Sequence, residues 1–228
     1  MAGRTGRVAR AEQVGATREA ILTTAERLFA EHGVYAVSNR QVSEAAGQGN
    51  NAAVGYHFGT KTDLVRAIAQ RHSERIEALR ARQLAVLGGS TDVRDWVDCL
   101  VRPLYDHLAA LGSPTWYARF CAQVTTDPAL RRIVTEESLA SPALRAILAG
   151  RDRCMPELPP EVRAERGDMA RQLIVHTAAE RERALAGGRP TPRASWQDAA
   201  DGLVDAIVGM WLAPVTPRAR RGGGTGGA

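Results

Sequence analysis

Sulfur, aromatic groups and lysine are all scarce in this 228-residue chain. The three cysteines, Cys99, Cys121 and Cys154, are odd in number and far apart. That pattern fits neither a disulfide framework nor a zinc motif, so each reads as a small buried hydrophobe. No apolar run reaches the roughly 18–20 residues that a bilayer-spanning helix needs. The basic start is followed by polar residues rather than an apolar core segment, so a secretion signal is not expected and a cytoplasmic location is. Lys61 is the only lysine among 30 basic residues.

Catalytic patterns are missing too. His32, His57, His72, His107 and His176 form no His-x3-His or His-Glu-x-x-His spacing. There is no glycine-rich nucleotide loop, no nucleophile elbow and no Glu-x-x-His pair of the kind that builds a metal site in a helical bundle. Glu136 and Glu137 fall on an amphipathic helix and read as solvated. No cofactor, metal or catalytic residue is expected, and a helical-bundle enzyme is only a remote alternative.

The net charge is +5, but its placement says more. Arg4, Arg7, Arg10, Arg218, Arg220 and Arg221 lie in tails without acids, and setting them aside leaves 24 basic residues against 25 acidic ones. The basicity therefore sits in the arms, which suits anion contact there rather than over the whole protein.

What is abundant is helical periodicity. Residues 1–14 read as a disordered basic arm. Thr17 can cap a first helix whose apolar face carries Ile21, Ala25, Leu28 and Phe29 and which ends at Gly33. A long helix begins near Lys61, with Arg66, Arg71, Arg75, Arg80 and Arg82 on its outer face. Another starts at Asp92, and Pro103 in its interior should kink it and leave space between helices. Asp127-Pro128 and Ser141-Pro142 each combine an N-cap with a proline at the first helical position. Pro156, Pro159 and Pro160 mark a linker before a helix over about 162–185, and the last helix runs from about Ser195 to Leu212. No stretch has a useful strand period. The class is all-α: a helix-turn-helix head over 15–60, a helical domain over 61–213, and a disordered tail over 214–228.

The decisive stretch runs from Ser38 to Lys61. Ser38 is a good N-cap for a short helix with Val42, Ala45 and Ala46 on one face. Gly47 and Gly49 bracket a break, and Asn50 or Asn51 can cap a second helix in which Ala53, Val54 and Phe58 turn inward. Two short helices joined by a tight glycine turn form a helix-turn-helix, whose second helix can enter a DNA major groove. The segment from Thr17 to Arg71 resembles the DNA-binding domain of the tetracycline-repressor (TetR) family of bacterial regulators. The resemblance rests on Ala25-Glu-Arg-Leu-Phe-Ala-Glu-His-Gly33, Ser38, Arg40, Val42, Ala46-Gly47, Tyr56-His-Phe-Gly59, Lys61 and Leu64, then Ala67 and Ile68. Residues 48–51 make the turn one residue longer than the family's usual form, and Val37 stands where that pattern often has Thr or Ser.

The residue types and the resemblance together give a set of expectations. Asn51 and Ala53, or their neighbours, lie nearest the bases, with Asn50 either there or serving as a cap. Arg40 and Gln41 reach in from the preceding helix. Thr17, Ser38, Tyr56, His57 and Lys61 hold the phosphate backbone. The resemblance implies a ligand-responsive homodimer, most simply a repressor, on a pseudo-palindromic double-stranded DNA operator. An activator, or a regulator answering to a protein partner, is the alternative. An apolar cavity for an unknown small-molecule effector is expected among Trp96, Tyr105, Trp116, Tyr117, Phe120, Cys121 and His176, because a chain poor in aromatics concentrates them there. Dimerisation is expected through the last two long helices, at Leu173, Leu203, Ile207 and Trp211.

Overall fold

Local capping signals set most of the helix boundaries. The computed structural model describes the backbone of residues 2–216 and the side chains of residues 12–216. These form α1 (Ala2–His32), α2 (Asn39–Ala45), α3 (Ala53–Phe58), α4 (Lys61–Leu87), α5 (Val93–Leu111), α6 (Tyr117–Thr126), α7 (Pro128–Ala140), α8 (Pro142–Cys154), α9 (Pro160–Ala186) and α10 (Trp196–Leu212). No strand occurs among the described residues, and the fold is all-α. Reciprocal capping boxes open α2 (Ser38 with Gln41), α4 (Thr60 with Asp63) and α10 (Ser195 with Asp198). Asp127 and Ser141 cap α7 and α8 ahead of their prolines, as the sequence pattern requires.

One boundary differs from expectation. Helix α1 begins at Ala2 rather than at Thr17, so the stretch 2–14 continues the helix instead of forming an arm. That stretch holds no proline and several good helix formers, so nothing before Thr17 stops the helix. Helix α5 runs unbroken through the buried Pro103. Of the tail expected over 214–228, residues 217–228 lie outside the described residues.

A single apolar cluster runs from Ile21 in α1 to Trp211 in α10. Helix α5 packs along α10, α6 along α9, and α1 along α6. The Phe29 ring of α1 stacks on Phe120 of α6 with centroids 6.5 Å apart. The first three helices are thus not a free-standing head. Their long helix α1 is seated directly on the bundle, and α4 joins the two by covalent continuity.

Candidate nucleic-acid interface

Helices α2 and α3 are too short to be stable alone, so their placement depends on specific contacts. Val42, Val54 and Phe58 turn into the core beside Ile21, Leu64 and Val65. Gly47 lies at φ +69°, a left-handed conformation that glycine takes without penalty, and this turns the chain out of α2. The longer loop is closed by Asn50, whose Oδ1 accepts from the Ala52 amide at 2.9 Å. The residue at the N-cap of α3, Ala52, has no side chain to offer, so Ser43 of α2 fills the role. Its buried Oγ accepts from the Val54 amide at 3.3 Å, tying one short helix to the start of the other. Arg18 of α1 then clamps the far end. Its guanidinium lies 4.1 Å from the centre of the Phe58 ring, and Nη1 donates to the His57 carbonyl at 2.7 Å.

These contacts assign several residues to the frame. Asn50 takes the structural role. Ser38 and Gln41 are joined to each other: the Ser38 amide donates to Gln41 Oε1 at 2.8 Å, and the Gln41 amide donates to Ser38 Oγ at 3.2 Å. Lys61 Nζ donates to the Val34 carbonyl at 3.1 Å, so it latches the first turn of α4 to the loop after α1. Burial lowers the lysine's pKa from its ordinary value. Arg40 is exposed and pairs with Glu44 one turn on, Nε to Oε1 at 2.7 Å.

Ala53 requires a correction. The sequence put it both among the inward residues and near the bases; its side chain is only 6% exposed and packs in the core, which upholds the first and not the second. The helical register, with α3 starting one residue after Ala52, turns it inward. Asn51, Ala52, Gly55 and Tyr56 are exposed instead, and Tyr56 is 82% so. Its ring meets His57 edge-on at 5.0 Å. Thr17, expected as an N-cap, is mid-helix in α1. It lines a crevice of about 280 Å³ with Gln13, Val14, Gln48, Asn50, Ala53, Tyr56 and His57.

Residues 21–68 match the sequence family described as bacterial regulatory proteins, tetR family, and residues 98–210 match the tetracyclin repressor-like C-terminal domain. The chain belongs to the TetR family. Among solved structures it is similar to the TetR family transcriptional regulator PfmR from Thermus thermophilus, with 21% identity and a TM-score of 0.48, over 82% of this chain and 96% of that one. No functionally curated protein matches it. The head is therefore the DNA-binding domain of a TetR-family transcriptional regulator. No helix among the described residues is long and apolar enough to cross a membrane.

In this TetR-family chain most of the expected effector residues pack into the bundle. Trp96, Tyr105, Tyr117 and Phe120 are buried core. Trp96 lies flat against Gly150, where an added Cβ would come within 2.2 Å of its ring, and its Nε1 donates to the Ser90 carbonyl at 3.0 Å. The Tyr105 hydroxyl lies 2.8 Å from Thr177 Oγ1. Trp116 and Cys121 are half-buried, and burial pushes the Cys121 thiol up to about 12. His176 is exposed on α9 and is not a core histidine. A crevice of about 380 Å³ lies between the loop after α1 and the α6–α7 corner, lined by Tyr35, Gln123 and Asp127 among others. None of the seven expected residues lines either crevice.

The expected dimer residues also divide. Leu203, Ile207 and Trp211 are buried within their own chain, because α10 turns that stripe onto α5 and not outward. Leu173 is 36% exposed, as are its α9 neighbour Met169 (43%) and Leu212 of α10 (50%).

Sequence reasoning missed the junction between head and bundle. His72 of α4 lies between Glu26 of α1 (Nε2 to Oε2, 2.8 Å) and His107 of α5 (Nδ1 to Nε2, 2.7 Å), with Tyr117 of α6 stacked on it at 3.7 Å. Arg71 closes the cluster by pairing with Glu26 and Glu19, so it is not on a solvated face. Desolvation, with His72, Arg71 and Arg75 nearby and against the pull of Glu26, lowers His107 to about 4. The only sequence signal was a polar residue, His72, at helical spacing from Leu64 and Ile68 on an apolar stripe.

Proposed function

We propose that this TetR-family chain is a ligand-responsive repressor, acting in the cytoplasm as a homodimer on a pseudo-palindromic operator. The observation that carries the reading is the outer face of α3. There Gly55 and Tyr56, with Asn51 and Ala52 in the turn that leads into the helix, stand exposed, while the inner face is fixed to α1, α2 and α4. A short, rigidly seated helix with an amide, two small residues and a phenol outward suits entry into a major groove. Asn51 is the base-reading candidate. Tyr56, His57 and Arg40 flank it and are suited to phosphate oxygens.

The exposed apolar residues Met169, Leu173 and Leu212, with Ala206 and Gly209 on the outer side of α10, support pairing of α9 and α10 with a second copy. Two-fold pairing then places two heads on successive half-sites. An effector lowers operator affinity only by favouring a bundle state in which the heads are badly spaced. The contacts of α1 with α6, and α4 itself, are the mechanical route. By linkage, effector and operator then weaken each other by the same factor. The experiment selects bound fragments from genomic DNA and measures the affinity of parent and Asn51→Ala for the recovered site. The expected outcome is a pseudo-palindromic consensus and a loss of preference at particular base pairs. An equal loss on every sequence would remove Asn51 from base readout, and the recovery of no consensus would refute operator binding.

A further inference from the structure

The inner stripe of α4 changes chemistry along its length. Leu64, Ile68, His72 and Ile76 are buried and either apolar or hydrogen-bonded. One turn further, Arg80 and Gln83 continue the stripe, three residues apart and so on one face. The Arg80 Nε and the Gln83 Oε1 are both buried, and neither has a hydrogen-bond partner among the described residues. The other arginines that reach the interior are at least partly engaged, although the Arg181 Nε is likewise buried without a partner. Arg119 pairs with Glu182, Arg166 donates to the Trp211 carbonyl, and Arg181 donates to the Arg193 carbonyl. Arg80 makes no ion pair among the described residues. The nearby acid, Glu77, is committed to the start of α8, where it accepts from the Ala143 amide at 2.9 Å and from the Ser141 hydroxyl. Tyr117 of α6 lies close enough to sense the Arg80 charge.

A guanidinium Nε and an amide oxygen buried without partners are both unfavourable, although Arg80 and Gln83 are themselves only half-buried. A planar donor fork beside a carbonyl acceptor is complementary to a carboxylate beside a hydroxyl or N–H. The charge of Glu77 disfavours a dianion such as phosphate, so a monoanion fits better. We propose that Arg80 and Gln83 anchor a site in the bundle for a small hydroxylated monocarboxylate, its apolar body lying toward Ile76 and Tyr117. This rests on the reading of the bundle as the effector-responsive part, and it names the effector's chemical class.

The test titrates the full-length protein by calorimetry with 3-hydroxybenzoate and with 3-hydroxyoctanoate, using 3-hydroxybenzamide and benzoate as controls. At least one hydroxy acid should bind saturably, while the uncharged amide should not. Arg80→Met should weaken that acid at least tenfold, and without ligand it should melt above the parent, since a buried unpaired charge is gone. Gln83→Leu should weaken the hydroxy acid while leaving benzoate unchanged. The proposal is overturned if neither acid binds saturably, if Arg80→Met binds as well as the parent, or if Arg80→Met alone melts lower. Operator affinity is measured in parallel. An acid that binds through Arg80 without altering operator affinity upholds the site and defeats the ligand switch. A neutral molecule that releases operator equally from parent and Arg80→Met upholds the switch and defeats this site.

Discussion

Head and bundle use their polar and aromatic side chains in opposite ways. In the head, Ser38, Gln41, Ser43, Asn50 and Lys61 bond to backbone within a few residues or across one helix contact, and Asn51, Ala52, Gly55 and Tyr56 are left outside. In the bundle, Tyr105, Tyr117, Phe120, Leu203, Ile207 and Trp211 are consumed by one core, and four buried side-chain atoms are left without partners among the described residues, at Arg80, Gln83, Arg181 and Trp211, against one in the head, at Asn39. A surface built to meet a partner shows itself by what is exposed. An interior built to admit one shows itself by what is buried and unsatisfied.

The largest effect separates core from interface on the last two helices. Ile207→Asp places a charge where the side chain has no exposure, and should cost roughly 4–5 kcal/mol or more, enough to unfold much of the protein. Leu173→Asp, on the outer side of α9, should keep the helical circular dichroism and melting curve yet sediment as a monomer with weak operator binding. Folded monomers from Ile207→Asp would reverse the assignment of the two stripes.

The next effect tests the seam between the regions. The folded pKa of His107, about 4, lies below the ordinary 6.5 of the unfolded chain. As pH falls from 6.5 to 4 the unfolded state gains a proton that the fold resists, so stability is lost through that window and is full above it. The size is about 3 kcal/mol for this one group. Urea unfolding at pH 7 and pH 4.5 should show the loss, and His107→Gln should flatten the difference between the two. An unchanged slope in the variant would remove His107 as the source of the pH dependence.

Several caps were legible in the sequence because they are local, although Thr17 falls inside α1 and α3 is capped at Ala52. Ser38, Thr60, Asp127 and Ser141 act on amides two or three residues away. The family motif likewise located the head and its inner face. What the sequence did not show depends on distant chain: Ser43 meeting Val54, Arg18 meeting Phe58, His72 meeting Glu26 and His107. Aromatic scarcity drew attention to Trp96 and Tyr105, but scarcity does not say which side of a ring is packed. Arg80 looked like one more arginine on a solvated face until the register of α4 turned it inward. Ala53 was given two incompatible places, since a single step along a helix rotates a side chain by about 100° and one residue cannot serve both the core and the groove.

The smallest effect concerns Gly55, and it has opposite signs in the two measurements. This glycine sits in the exposed middle of α3, and a Cβ built there would meet nothing within 4 Å. Packing therefore gives no reason for it, and in an exposed helix interior glycine is less favourable than alanine by roughly 0.5–1 kcal/mol. If the outer face of α3 lies against DNA, the missing side chain lets the backbone approach a base edge or sugar, with Asn51 and Tyr56 on either side. Gly55→Ala should then raise the melting temperature by about 2–3 °C and lower operator affinity several-fold. The pair of measurements is more informative than either alone, because a general defect lowers both and a general gain raises both. A variant that is more stable and binds operator as tightly as the parent would show that α3 does not come close to DNA at residue 55. The reading face would then have to be rotated toward Asn51 and away from Tyr56.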